Sequence, residues 1–184
     1  MSCFGEHTEM SCRQMNPLRQ LANELERLKI PYFVGGSHAS SARGVGRPTI
    51  DTDLVAGIHA SKIGALSAAP GADWYTDPAQ MAEAIARGRS FNLIHMSTED
   101  KFAIFPVTHK FHVTQLQRAT RETLEVAGER VECPVATAED ILLAKLQWYG
   151  SGGELSERQW EDIMGIIRLN LCSTWSTVAY GLSD

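Results

Sequence analysis

GGSHASSARGVGRPTIDTDL, residues 35–54, is the stretch around which the rest of the chain is organised. It follows a short apolar run, Tyr32-Phe33-Val34, that reads as a strand. Gly35-Gly36-Ser37 breaks that strand, Ala39 to Arg43 can form a brief helix, and Gly44 to Pro48 is loop. A second strand is predicted over Asp53 to Ile58, with Asp51 at its entrance. A small-residue turn leading into a helix start can hold phosphates on backbone N–H groups. Residues i and i+2 of a strand share a face, so the carboxylates of Asp51 and Asp53 stand together. Two like charges at that spacing are costly unless a cation neutralises them. Mg²⁺, bound by one or two carboxylates plus phosphate oxygens, does this. A bare Asp-x-Asp also suits a solvated strand end. The preceding Gly-Gly-Ser favours a site that binds a nucleoside triphosphate through metal ions.

The surrounding chain sets limits on this reading. Its 184 residues fit one domain, or a core domain with a small helical appendage. A hydrophobic content of 43% and a charged content of 21% are ordinary for a globular protein. The net charge of -5 argues against nucleic-acid binding through bulk positive charge. No apolar run approaches the ~20 residues of a membrane helix. MSCFGEHTEM lacks the regions of a signal peptide, so the expected location is cytoplasmic, with no membrane partner. Cys3, Cys12, Cys133 and Cys172 form no CxxC pair and have no histidine at finger spacing. They read as unpaired thiols in a reducing compartment.

Outward from the central stretch, strands and helices alternate. Residues 1–15 read as a loose leader, with Met10 or Met15 as alternative starts. Asn16-Pro17 supplies an N-cap and a first-turn proline. Leu18, Leu21, Leu25 and Leu28 then follow at helical spacing as far as Lys29. Ser61 is expected to cap a helix over Lys62 to about Ser67, and Asp77-Pro78 starts another over Ala79 to Arg87. Trp74-Tyr75 is a short strand. Phe91 to Met96 and Lys101 to Val107 are two strands around the polar turn 97–100. A helix over Lys110 to Arg118 and a hairpin, Glu122 to Val126 with Val131 to Ala136, complete the core. Thr137 and Asp140 have capping-box spacing before a helix carrying Ile141, Leu142, Lys145, Leu146 and Tyr149. After a break at Gly150 to Gly153, Ser156 caps a last helix with Trp160, Ile163, Met164, Ile167 and Leu171 on its apolar face. The tail from Cys172 is ambiguous. The pattern is α+β, or α/β: a core domain over residues 16–136 and a C-terminal helical region over 137–184.

Asp51 lies fourteen residues beyond Ser37, and this Gly-Gly-Ser…Asp-x-Asp element closely resembles the signature of the DNA polymerase β-like nucleotidyltransferase superfamily. The stretch looks nearest to small minimal nucleotidyltransferases and to toxins of the AbiEii type. ATAEDILLAKLQWY, residues 136–149, and SERQWEDIMGII, residues 156–167, are similar to the helical part of those toxin-like families. The resemblance covers roughly residues 17–170 and implies a mixed sheet flanked by helices with a C-terminal helical part. It implies that Gly35, Gly36 and Ser37 hold the β- and γ-phosphates, and that Asp51 and Asp53 bind Mg²⁺ or Mn²⁺. It makes Lys145 a cation on the triphosphate and Asp162 a catalytic-region acid. Each also has a plainer reading, Lys145 as a snorkelling side chain and Asp162 as a solvated helix acid. Arg47 either steadies phosphate or solvates its loop. Trp148, Tyr149 and Trp160 read as core rather than as a base-stacking platform, and Asp140 as a helix-start residue.

The chain departs from the superfamily pattern at one place. A third carboxylate usually lies on a neighbouring strand, in a run like Lys101-Phe102-Ala103-Ile104-Phe105, where Ala103 occupies the acid's position. Asp100 has the wrong strand parity, and Glu99 lies roughly 13 Å away at strand rise. If the hairpin is centred on Glu99, His95 stands opposite Ala103; a register one residue different puts Ile94 there. Otherwise His95 is a half-buried strand residue. The resemblance implies an enzyme moving a nucleoside monophosphate from an NTP to a hydroxyl of RNA, protein or a small molecule. A toxin would have an antitoxin as partner. The alternative is a nucleotide-binding or scaffold protein whose catalysis is weakened at Ala103.

Overall fold

The computed structural model describes residues 15–42, 51–150 and 157–168. The leader, the loop with Arg47, the 151–153 break, the Ser156 cap and the tail from Cys172 lie outside the described residues. So do Cys3 and Cys12.

Asn16 opens α1 (Pro17–Arg27), its side-chain oxygen accepting from the backbone N–H of Leu18 at 3.0 Å. That satisfies one of the donors every helix start leaves unpaired. Leu18, Leu21, Ala22 and Leu25 form the buried stripe. Then come β1 (Tyr32–Val34), α2 (Gly36–Ala42) and β2 (Asp51–Ala56). Helix α2 starts three residues earlier than its alanines suggest, so Ser37 lies in its first turn rather than in a loop. Strand β2 likewise includes Asp51 and ends at Ala56. A 3-10 turn over Ala60–Lys62, capped by His59 rather than Ser61, leads into α3 (Ile63–Ala68). Next are β3 (Trp74–Tyr75), α4 (Pro78–Ala86) with Asp77 as its cap, β4 (Phe91–His95) and β5 (Asp100–Pro106). The chain continues through α5 (Lys110–Arg118), β6 (Thr120–Val126), β7 (Glu129–Val135), α6 (Ala138–Gly150) and α7 (Glu157–Ile166). Ala127 and Gly128 join β6 to β7 at φ 51° and 75°. Two left-handed residues match the twist of a tight hairpin and let both strands run longer than their apolar residues suggest.

The strands form one seven-stranded mixed sheet in the order β3-β4-β5-β2-β1-β7-β6. Strand β2 is central, antiparallel to β1 and parallel to β5. Along β2, β5 and β4, alternate residues are buried: Thr52, Leu54 and Ala56; Phe102 and Ile104; Phe91, Leu93 and His95. Trp74 belongs to the same core, and its indole N–H donates to Gln20 of α1 at 3.1 Å. The opposite face of β2 carries Asp51, Asp53 and Val55.

Register in the β4–β5 hairpin decides which residues reach that opposite face. His95 pairs with Asp100 and Asn92 with Ala103, so neither His95 nor Ile94 stands opposite Ala103. The turn is Met96 to Glu99, with Glu99 at φ 60°. His95 is 2% exposed and points into the core. Its Nδ1 lies 2.8 Å from Thr98 Oγ1, its Nε2 lies 3.2 Å from an Asp73 carboxylate oxygen, and its ring packs edge-on to Trp74. A polar ring with both nitrogens partnered can be buried at little cost, and burying it fixes the register.

At the other end of the sheet, Asp140 is fully buried and its backbone N–H donates to Thr137 Oγ1 at 3.2 Å, a helix-start contact. Its carboxylate pairs with Arg118, which the sequence did not signal. Trp148 and Trp160 are 51% and 53% exposed, so neither is core. Their helices turn other residues inward, Ile141 from α6 and Ile163 and Ile166 from α7. Cys133 is free and buried, and burial pushes its thiol up to about 12. Among the described residues no helix is long and apolar enough to cross a membrane.

Candidate active site

The site is built where α2 begins beside the middle of β2. Val34 pairs with Leu54, and the next residue, Gly35, donates its N–H to Asp53 O at 2.9 Å. The chain then turns through Gly36 at φ +58°, a conformation that costs glycine little. A Cβ at Gly36 would lie 1.9 Å from Asp53 Oδ2. Glycine is therefore required twice over, by the backbone and by the carboxylate it lies against. Ala39 N–H donates to Gly35 O and Ser40 Oγ to Gly36 O, at 3.2 and 3.0 Å, tying α2 to its own first turn.

Asp51 and Asp53 project from one face of β2, as alternation requires. Asp53 is the more enclosed. Burial first, and then the charge of Asp51, push its carboxyl above the ordinary carboxylate value; Lys145 and then Lys101 pull it back. Lys101 is in register with Asp51 on β5, Nζ to Oδ2 3.9 Å. Lys145 reaches in from α6, and its Nζ lies 3.1 Å from Asp162 Oδ2 of α7. Both members of that pair are largely buried, with side chains 16% and 7% exposed. Asp162 is thus not a solvated acid, and Lys145 does not snorkel to water. The structure brings Gly35, Gly36, Asp51, Asp53, Lys145 and Asp162 into one neighbourhood, with Ser37 in the adjoining turn.

Three further residues belong to this neighbourhood. Half-buried His38, next to Ser37, feels the Asp100 carboxylate, yet burial still pushes its imidazole below the ordinary value. Ala103 sits beside Asp53 on β5, and Asn92 faces Ala103 from β4. Ala103 is marked by its own run in the sequence, but no local pattern announces Asn92, whose place depends on strand register.

Two clustered carboxylates form a set of hard oxygen donors, and Gly36 leaves a cradle beside one of them that a Cβ would fill. These residues fit a hard divalent cation such as Mg²⁺ or Mn²⁺. Among the described residues no third His, Cys, Asp or Glu completes a metal cluster.

A nucleotidyltransferase-like protein from Paracoccidioides brasiliensis has a similar solved structure, with TM-score 0.50 and 26% identity, covering 81% of this chain and 72% of that one. The fold is the nucleotidyltransferase fold. The solution structure of the antibiotic-resistance factor ANT(2'')-Ia is similar over 90% of this chain and 94% of that one, at 15% identity and TM-score 0.49. No protein-family model matches the chain, and no curated protein matches its sequence. In this chain the acids of β2 and the turn into α2 lie together because β1 and β2 are adjacent antiparallel strands. The turn that leaves one therefore meets the side chains of the other.

Proposed function

We propose that the chain is a divalent-metal-dependent nucleotidyltransferase that moves a nucleoside monophosphate from an NTP to a hydroxyl. The observation that carries this is the contact between Gly36 and the Asp53 carboxylate, which joins the glycine turn to a pair of acids. In this reading the Gly35–Ser37 turn receives the β- and γ-phosphates. Asp51 and Asp53 hold Mg²⁺ or Mn²⁺, which neutralises charge on the triphosphate when bound. Lys145, fixed by Asp162, presents a cation toward the same place, and the phosphate-steadying role of Arg47 rests on the sequence alone. The acceptor oxygen bonds to the α-phosphorus, the bond to pyrophosphate breaks, and pyrophosphate leaves. The hydroxyl proton passes to solvent, since Ala103 offers no carboxylate to take it. Such proton help is typically worth ~10²–10⁴-fold, so transfer is slowed but retained. The acceptor is a hydroxyl of RNA, protein or a small molecule. The division at about residue 136 and an antitoxin partner stay part of the proposal.

A second reading is a nucleotide-binding scaffold. It is favoured by the register that sets Ala103, rather than an acid, beside Asp53. Incubation with Mg²⁺ and each labelled NTP, with and without total RNA, separates the two. Transfer that falls more than about 10³-fold in Asp51→Ala/Asp53→Ala supports the enzyme. Metal-dependent NTP binding without transfer supports the scaffold, and no such binding sinks both.

A further inference from the structure

The neighbourhood of Ala103 offers a polar side chain that no acidic motif marks. Asp53, Ala103 and Asn92 lie side by side on β2, β5 and β4, in register and on one face. Two strand spacings separate the outer pair, about 10 Å. Between them stands only the methyl group of Ala103, which is partly exposed. Asn92 is exposed, and its carboxamide makes no side-chain hydrogen bond with another described residue. Around it the face carries Ile94, Tyr75 and Phe105, the last 39% exposed, with Lys101 diagonally across on β5. Asn92 is the uncharged polar side chain in register with Ala103 there, and a carboxamide can hold a polar ligand.

We propose that Asn92 stands in for the absent third acid as an uncharged hydrogen-bond acceptor, its carboxamide oxygen holding in place a water or the attacking hydroxyl beside Ala103. The distances suit this role better than direct ligation. Asp53 and Asn92 are too far apart to share one cation at the ~2.1 Å of a Mg²⁺–oxygen bond. One interposed oxygen, hydrogen-bonded to the carboxamide, spans the gap. The carboxamide oxygen accepts a hydrogen bond from that group without taking its proton, so Asn92 orients the nucleophile and leaves it neutral. It is a positioning residue, and its role rests on the metal-binding reading of Asp51 and Asp53.

Mn²⁺ binding tests it, measured by titration calorimetry on the full chain with a non-hydrolysable ATP analogue. Asn92→Ala is expected to weaken Mn²⁺ about tenfold, as loss of an outer partner of a metal site does. Asn92→Asp, which adds a charge facing the cation, is expected to tighten it by about as much. Ala103→Asp is also expected to tighten it. The double variant should be no tighter than the better single, because both carboxylates compete for one gap. Circular dichroism checks that each variant is folded, which an exposed site permits. Wild-type binding that neither Asn92 variant alters, or full additivity in the double variant, overturns the assignment and leaves the two-acid reading standing. A wild-type chain that binds no Mn²⁺ with the analogue overturns both.

Discussion

The two faces of the β2–β5–β4 sheet are made by the same three strands and differ in almost everything else. One carries Leu54, Phe102, Ile104, Leu93 and His95, all at most 2% exposed. The other carries Asp51, Asp53, Lys101, Ala103, Asn92 and Phe105, most of them partly or largely exposed. Because side chains alternate, neighbours in sequence serve opposite ends: Phe102 anchors the core while Lys101 and Ala103 flank the acids. Stability and chemistry are thereby separated at single-residue spacing, and what ties them together is register.

Phe102→Ala should cost about 3–5 kcal/mol in a urea melt, since it empties a filled position in the core. Phe105→Ala, three residues along on the open face, should cost less than about 1 kcal/mol. Comparable losses would break the contrast between the faces. His95→Ala should cost about 1–3 kcal/mol, because Thr98 and Asp73 lose a partner. Its KM and kcat for any transfer should match wild type once the variant is fully folded. A lowered kcat would return His95 to the site. Gly36→Ala should cost about 1–3 kcal/mol through its left-handed backbone. It should also weaken Mn²⁺ binding, because the added methyl displaces the Asp53 carboxylate. Intact metal binding would separate the turn from the acid.

Asp53→Asn sharpens the comparison at its smallest effect. Folding raises the Asp53 pKa, so the folded state holds the proton more tightly than the unfolded chain does. That contribution is fully present below the unfolded value of 3.8 and is lost as pH rises through the raised folded value. In the absence of metal, Asp53→Asn should therefore gain stability over wild type across that rise, seen as a higher melting temperature. An unchanged pH profile would mean that Asp53 is already neutralised.

Much of this architecture was legible in the chain itself. Asn16-Pro17 and Asp77-Pro78 announced helix starts because capping chemistry is local. The Asp-x-Asp spacing on a strand fixed two acids on one face, and Ala103 could be singled out from its run. The hairpin register could not be read, because the turn Met96 to Glu99 contains no Asn-Gly or similar marker. Trp148 and Trp160 stand exposed rather than in the core for a related reason: an apolar side chain fits either a core or a surface until the neighbouring helices are in place.

The sequence by itself determined the elements, the alternation of β2 and the glycine turn ahead of its acids, all governed by residues a few positions apart. Only the tertiary structure decided what surrounds those acids. Lys145 is brought there by α6, Lys101 and Ala103 by parallel pairing, and Asn92 by a hairpin whose register His95 pins from the buried side. These are contacts between residues distant in the chain, and they are set by which side chains the core accepts.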